Sequence, residues 1–206
     1  MFKKFIASML NKDNSKKLEP VKLEEQLERL GEFGITLNQG MTVDDLLISF
    51  PRQSYESEPY QLLLTMLGGE KEEEPYERIS DHIIYLDTEC IENKGDYVKI
   101  AEMIDKLTGG ELGLKDLEDE IETASGKARL SFKIEDKSYE WHATVNDDWL
   151  DPHILTKFAQ LFLERGMEGR LCCHYFEGQD QLLLYIKPEQ LDKLNQLTKL
   201  KFNWLE

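Results

Sequence analysis

No apolar run in this chain comes near the roughly 20 residues needed to cross a bilayer; stretches such as Leu182 to Ile186 are far shorter. That excludes a transmembrane helix. The opening MFKKFIASMLNKD has a basic start, but its apolar run FIASML is short and no small-residue cleavage pattern follows, so a cytoplasmic protein is expected. Cysteine is scarce, with 3 in the chain, and an odd count without framework spacing excludes a disulfide scaffold. Cys172 and Cys173 are neighbours in an expected strand, so their side chains must point to opposite faces rather than form a chelating pair. The phosphate-cradling and hydrolase signatures G-x-x-x-x-G-K-[ST], G-x-G-x-x-G and G-x-S-x-G are missing. The histidines His82, His142, His153 and His174 stand far apart, in no H-x-x-x-H arrangement and with no C-x-x-C nearby. A zinc site has no local support, and no cofactor or metal is expected.

Positive charge is also in short supply. Lys and Arg total 25 against 41 Asp and Glu, a net charge of −16. A field of that sign repels phosphate backbones and speeds encounter with a basic protein, so a basic protein partner is expected and direct nucleic-acid binding is not. Residues 1–17 depart from this, with Lys3, Lys4, Lys12, Lys16 and Lys17 against Asp13 alone. Phe2, Phe5, Ile6, Met9 and Leu10 recur there at helical spacing, predicting an amphipathic basic helix followed by a polar linker. Such a helix packs on its own domain or docks weakly on anionic lipid or an acidic partner.

The residues that remain describe an ordinary folded chain: 40% are hydrophobic, with 9 Phe, 8 Tyr and 3 Trp among 206, enough for one sizeable core. VKLEEQLERLGEFG predicts a helix with Leu23, Leu27 and Leu30 on one face, stopping at Gly31 or Gly34. MTVDDLLISF predicts a second, capped by Thr42 and stopped by Pro51, and YESEPYQLLLTMLGG a third. After the charged loop EKEEEPYE the texture changes. ISDHIIYLDTE predicts a buried strand, GDYVKIAEMIDKL a helix, and LKDLEDEIE is an acidic segment with no element assigned. ARLSFKIEDKSYEWHATV predicts a hairpin with Leu130, Phe132 and Ile134 on one face. DPHILTKFAQLFLERG predicts a helix opened by Asp151 and Pro152. RLCCHYFEGQDQLLLYI predicts a second hairpin, KPEQLDKLNQLTKL a final helix and KFNWL a last strand. The expected fold is α+β: an N-terminal helical layer, then a mixed, mostly antiparallel sheet with helices packed on it. The expected division is residues 1–18 as the basic segment and linker, 19–75 as a helical subdomain, and 76–206 as an α+β domain sharing its core.

Two stretches carry candidate chemistry. In IIYLDTEC an apolar strand runs into Asp87, Thr88 and Glu89, and the period of 2 puts the two carboxylates on one face. This resembles the opening metal-binding motif of two-metal exonucleases of the D-E-D-D kind, and the resemblance implies a metal-dependent phosphodiesterase with His142 and Asp147 as the later His and Asp. The resemblance covers three residues. Cys90 and Ile91 follow where that family has small, glycine-containing residues, and a strand at WHATV sets His142 and Asp147 roughly 16 Å apart. The second stretch, SYEWHATVNDDWLDP, places Trp141 and Trp149 among Asp147, Asp148 and Asp151. Tryptophan anchors interfaces and carboxylates steer basic partners, so these five residues form a candidate partner surface. Their plainer role is a hairpin core with a loop and a helix cap at Asp151.

In character across residues 20–206, an acidic, aromatic-rich α+β domain without catalytic signatures, the chain resembles bacterial immunity proteins. That resemblance implies a bacterial, non-enzymatic inhibitor that occludes a basic toxin or nuclease domain.

Overall fold

The computed structural model describes residues 19–122 and 125–206, so the predicted basic helix of residues 1–18 lies outside the described residues. The chain has the expected α+β architecture, built as two sheets in which the neighbouring strands pair antiparallel. Among the described residues no helix is long and apolar enough to cross a membrane.

Among the described residues four short helices come first: α1 (Leu23–Gly31), α2 (Val43–Ser49), α3 (Arg52–Ser57) and α4 (Gln61–Leu67). Thr42 starts α2 as expected, its N–H and hydroxyl both donating to the Asp45 carboxylate at 2.8 and 2.9 Å. The single helix expected over YESEPYQLLLTMLGG is broken in two. Pro59 offers no N–H and its ring clashes with a helical turn before it, while Tyr60 takes a left-handed conformation, φ 76°. Gln26 of α1 repairs the break. Fully buried, it donates to the carbonyls of Val21 and Tyr55 and accepts from the Tyr60 N–H, all at 2.8 Å.

The first sheet has the order β1-β6-β5-β7, formed by β1 (Ile84–Asp87), β5 (Arg170–Tyr175), β6 (Asp180–Ile186) and β7 (Asn203–Trp204). It is apolar on both faces. Cys172, Leu182, Leu184 and Ile186 meet the helical layer and the last helix, α7 (Leu191–Thr198). Cys173, Leu183, Ile84 and Leu86 face α5 (Asp96–Leu107), α6 (Pro152–Glu164) and the second sheet. The two adjacent cysteines therefore do enter different cores. Gly68 ties the helical layer to the sheet, its carbonyl accepting the Tyr85 N–H at 2.9 Å. A Cβ at Gly68 would stand 2.4 Å from the Tyr85 nitrogen, so only glycine permits this approach.

The second sheet has the order β2-β3-β4, from β2 (Leu114–Glu122), β3 (Lys127–Ile134) and β4 (Lys137–Thr144). Its inner face carries Leu130, Phe132 and Ile134, with Phe132 5.1 Å from Tyr139 and 6.0 Å from Phe158 between ring centroids. Its outer face is a charge ladder in which Arg129 pairs with Glu120 and Glu140 at 3.0 and 2.8 Å, and Lys133 with Asp116 at 2.8 Å. The acidic segment LKDLEDEIE is thus a strand. Its inner row is Leu117, Asp119 and Ile121, and the middle member is a carboxylate for a reason visible at α5. Asp119, 2% exposed, accepts the N–H groups of Gly95, Tyr97 and Val98 at 2.7, 3.0 and 3.2 Å. The open N–H groups at the start of α5 are satisfied from a neighbouring strand rather than from the helix's own cap.

Candidate functional site

The two stretches that compete in the sequence meet at one end of the first sheet. Asp87 ends β1 and is paired across the sheet with Asp180 of β6. Beyond it the chain leaves the sheet alongside the NDDWLD loop: the Leu150 N–H donates to the Thr88 carbonyl at 2.7 Å, and the Ile91 N–H donates to the Asp148 carbonyl at 2.8 Å. Glu89 and Trp149 form a backbone bridge. Thr88 turns inward, its hydroxyl donating to the Gln179 carbonyl at 2.7 Å.

Asp87 and Glu89 do converge, as their spacing requires. Both accept from one nitrogen, the Gln179 side-chain amide, at 3.0 and 2.8 Å. A neutral amide cannot offset two carboxylates, and a third lies behind it. Asp180, 4% exposed, accepts a hydrogen bond from the Tyr85 hydroxyl. Burial pushes the Asp180 carboxyl above the usual carboxylate range, and the charges of Asp87 and Glu89 push in the same direction against the Tyr85 hydrogen bond. Like charges directly opposite on paired strands repel, so a proton on Asp180 relieves the pair.

That shift has a testable sign. An unfolded Asp titrates near 3.9. The native chain holds its proton at higher pH, so the stabilisation is fully present below that value and is lost as pH rises through the raised native value. Asp180→Asn keeps an oxygen for Tyr85 and abolishes the titration. The variant is expected to melt higher than the parent at pH 7–8, with the gap closing towards pH 4. A gap that stays constant over that range would show that the carboxyl is unshifted.

The other residues singled out by sequence are spread over distinct roles. His142 projects from the solvent face of β4 towards Glu140, 3.5 Å away, and no contact joins it to Asp87 or Glu89. Asp147 follows the strand in an exposed turn with φ 58°. Among the described residues no group of three His, Cys, Asp or Glu side chains is arranged to hold a metal ion. Trp141 sits on the inner face of β4, edge-on to Phe132 and Phe158 at 4.8 Å each. Asp151 caps α6, accepting from the His153 and Thr144 N–H groups at 3.0 and 2.8 Å. Burial works against its ionisation, but these two N–H groups and the His153 ring outweigh it and hold the carboxyl below the usual range. Cys90 is an unpromising nucleophile, because burial, reinforced by Asp87, Asp96 and Asp148, pushes its thiol up to about 12. A thiol with that value is protonated at neutral pH.

What remains exposed at this end is Trp149 (39%), Tyr175 at the end of β5 (59%), and the side chains of Asp87, Glu89, Asp147 and Glu177, with Asp148 half-buried. Residues 84–92, 146–152 and 175–182 contain no Lys or Arg. Beside Trp149 lies a groove of about 330 Å³ lined by Thr144, Asn146, Leu150, Pro152 and His153. Sequence reading overlooked the contribution of Tyr175, Glu177, Gln179 and Asp180. Their only sequence signal is the EGQD stretch at 177–180, where the second hairpin turns, and nothing in it tells which strand β6 will pair with. Comparison with family models, with curated proteins and with solved structures finds no match.

Proposed function

We propose that this protein is a non-enzymatic binding protein that captures a basic protein partner at the acidic end of its four-stranded sheet. It would act as immunity or antitoxin-type inhibitors do, by occluding a basic toxin or nuclease domain. The observation that carries this reading is the meeting of three segments, all without Lys or Arg, around the exposed ring of Trp149. Uncompensated carboxylates steer a cationic surface into place and discriminate against acidic ones, while a rigid indole supplies apolar contact at low entropic cost. The shared nitrogen of Gln179 supports this reading, since two carboxylates accept from one neutral donor and a partner's guanidinium or ammonium group would bring the missing charge.

The test uses the full chain as bait and measures the affinity of what it captures. The bound protein is expected to be basic, with binding that weakens as salt rises, since exposed charges are screened within about 10 Å at 0.1 M. The double reversal Asp147→Lys with Asp148→Lys is expected to weaken binding about 100-fold, from two close charge pairs at roughly 1.5 kcal/mol each. Reversal of Glu28 and Glu73, exposed on α1 and in the loop after α4, serves as the control. Salt-insensitive binding, or equal losses from the two reversals, would refute the proposal.

A further inference from the structure

We infer that the free edge of β4 receives an extended segment of a basic partner by strand addition. Among the described residues β4 pairs only with β3, in unbroken register from Lys137 to Thr144. It contains neither proline nor glycine. Its hydrogen-bonding sides can be assigned from its end: the Val145 N–H turns towards β3 and donates to the Gly126 carbonyl, while the Thr144 N–H turns away and is taken by Asp151. Alternation then points the peptide groups of Ser138, Glu140 and His142 outward, and none has a hydrogen-bond partner among the described residues. The opposite edge of the sheet is protected. β2 carries a register shift between Lys115 and Glu118 and a left-handed Asp116, φ 51°, the devices that keep an edge from pairing. β4 has neither device.

The occupant follows from charge. On the outer face, β2 presents Asp116, Glu118 and Glu120, β3 presents Arg129 and Lys133, and β4 presents one carboxylate, Glu140, which pairs with Arg129 on the side towards β3 and lies 3.5 Å from His142, so acidic and basic groups alternate from strand to strand along the row through Arg129. The next strand in that series is basic. A residue opposite Glu140 projects onto the same solvent face, where a Lys or Arg fits, and the residue opposite Trp141 projects onto the inner face beside its half-buried ring, where an apolar side chain fits. The matching segment alternates basic and apolar residues, and past Thr144 it runs into the Trp149 groove. The inference rests on the reading above for the sign of the partner, but its contacts are backbone hydrogen bonds rather than carboxylates.

The probe is the blocked peptide Lys-Val-Lys-Val-Lys-Val-Lys added to the full-length protein, followed by amide hydrogen exchange. Exchange is expected to slow at Ser138, Glu140 and His142. For a peptide that adds antiparallel to β4, N-methylation of the central lysines, whose N–H groups then face β4, should weaken binding about tenfold or more, whereas N-methylation of the valines should not. His142→Pro removes an outward N–H without touching the β3 ladder and should act like lysine methylation; if that variant misfolds, the methylated peptides still decide. Equal binding of all peptides, protection elsewhere, or protection that grows with protein concentration alone, as pairing of two copies would give, each overturns the inference. Capture of a basic partner that His142→Pro leaves unchanged refutes strand addition and leaves the proposed function standing.

Discussion

Replacing Arg78 by methionine is expected to destabilise the protein by about 3–5 kcal/mol, the range for breaking a buried ion pair from one side. Arg78 is 12% exposed at its side chain and lies 3.2 Å from Asp81. Its guanidinium also donates to three carbonyls, those of Gly68, Ser80 and Ile83, at 3.3, 3.0 and 2.6 Å, and its other terminal nitrogen meets the Met103 sulfur at 3.5 Å. One side chain therefore joins the end of α4, the turn before β1, the start of β1 and α5. Burial lowers its pKa, with Asp81 opposing, but an arginine starts so high that it stays charged. Methionine fills the volume but removes the donor from the Ser80 and Ile83 carbonyls and the cation from Asp81, while Gly68 keeps its bond from the Tyr85 N–H. Lysine is expected to rescue little, because a single ammonium cannot reproduce a planar fork spread over four oxygens. Urea unfolding measures the loss, and a cost below about 1 kcal/mol for Arg78→Met would show that water replaces the guanidinium.

The second large effect is expected at Asp119. Asp119→Ala strands three N–H groups at the start of α5, and at about 1 kcal/mol for each lost bond the cost should approach 3 kcal/mol. Asn keeps one acceptor oxygen and loses the charge that complements the helix N-terminus, so an intermediate loss is expected. The damage should spread to the candidate site. The chain between Cys90 and Gly95 leads into α5, and its Ile91 N–H holds the Asp148 carbonyl. Amide exchange over residues 146–150 should quicken in Asp119→Ala even in conditions where the chain stays folded. A purely global change, equal at every protected amide, would show that the cap and the loop are uncoupled.

These two residues mark where sequence reading succeeds and fails. Patterns carried by neighbours in the chain are legible: the Leu130, Phe132 and Ile134 face, the Thr42 and Asp151 caps, the two hairpins. In β2 the alternation was present in Leu117, Asp119 and Ile121, but it was hidden because the central inward residue is an acid whose partners lie on another element. Gln26 was obscured in the same way, as a polar residue on an otherwise apolar helix face. The helix break is encoded locally by Pro59, ahead of a leucine run that suits a helix. The candidate site was half legible. The D-T-E and NDDW stretches each stood out, yet their meeting depends on β1 pairing with β6 rather than with any nearer strand, and no local pattern encodes that choice.

The pairing of β1 with β6 also sets an order of events during synthesis. The Gln179 amide reaches Asp87 across 92 residues, and closing so long a loop carries an entropic cost that only the finished sheet repays. Until the segment after Gln179 has been made, β1 has no β6 to pair with, and Tyr85 has no Asp180 to meet. A nascent chain that stops after its second sheet still lacks Glu177, Gln179 and Asp180, the part of the acidic end that β5 and β6 bring. The partner proposed above would meet the full acidic end only on a nearly complete molecule, so a fragment ending before β6 is expected to bind it more weakly even where its second sheet folds.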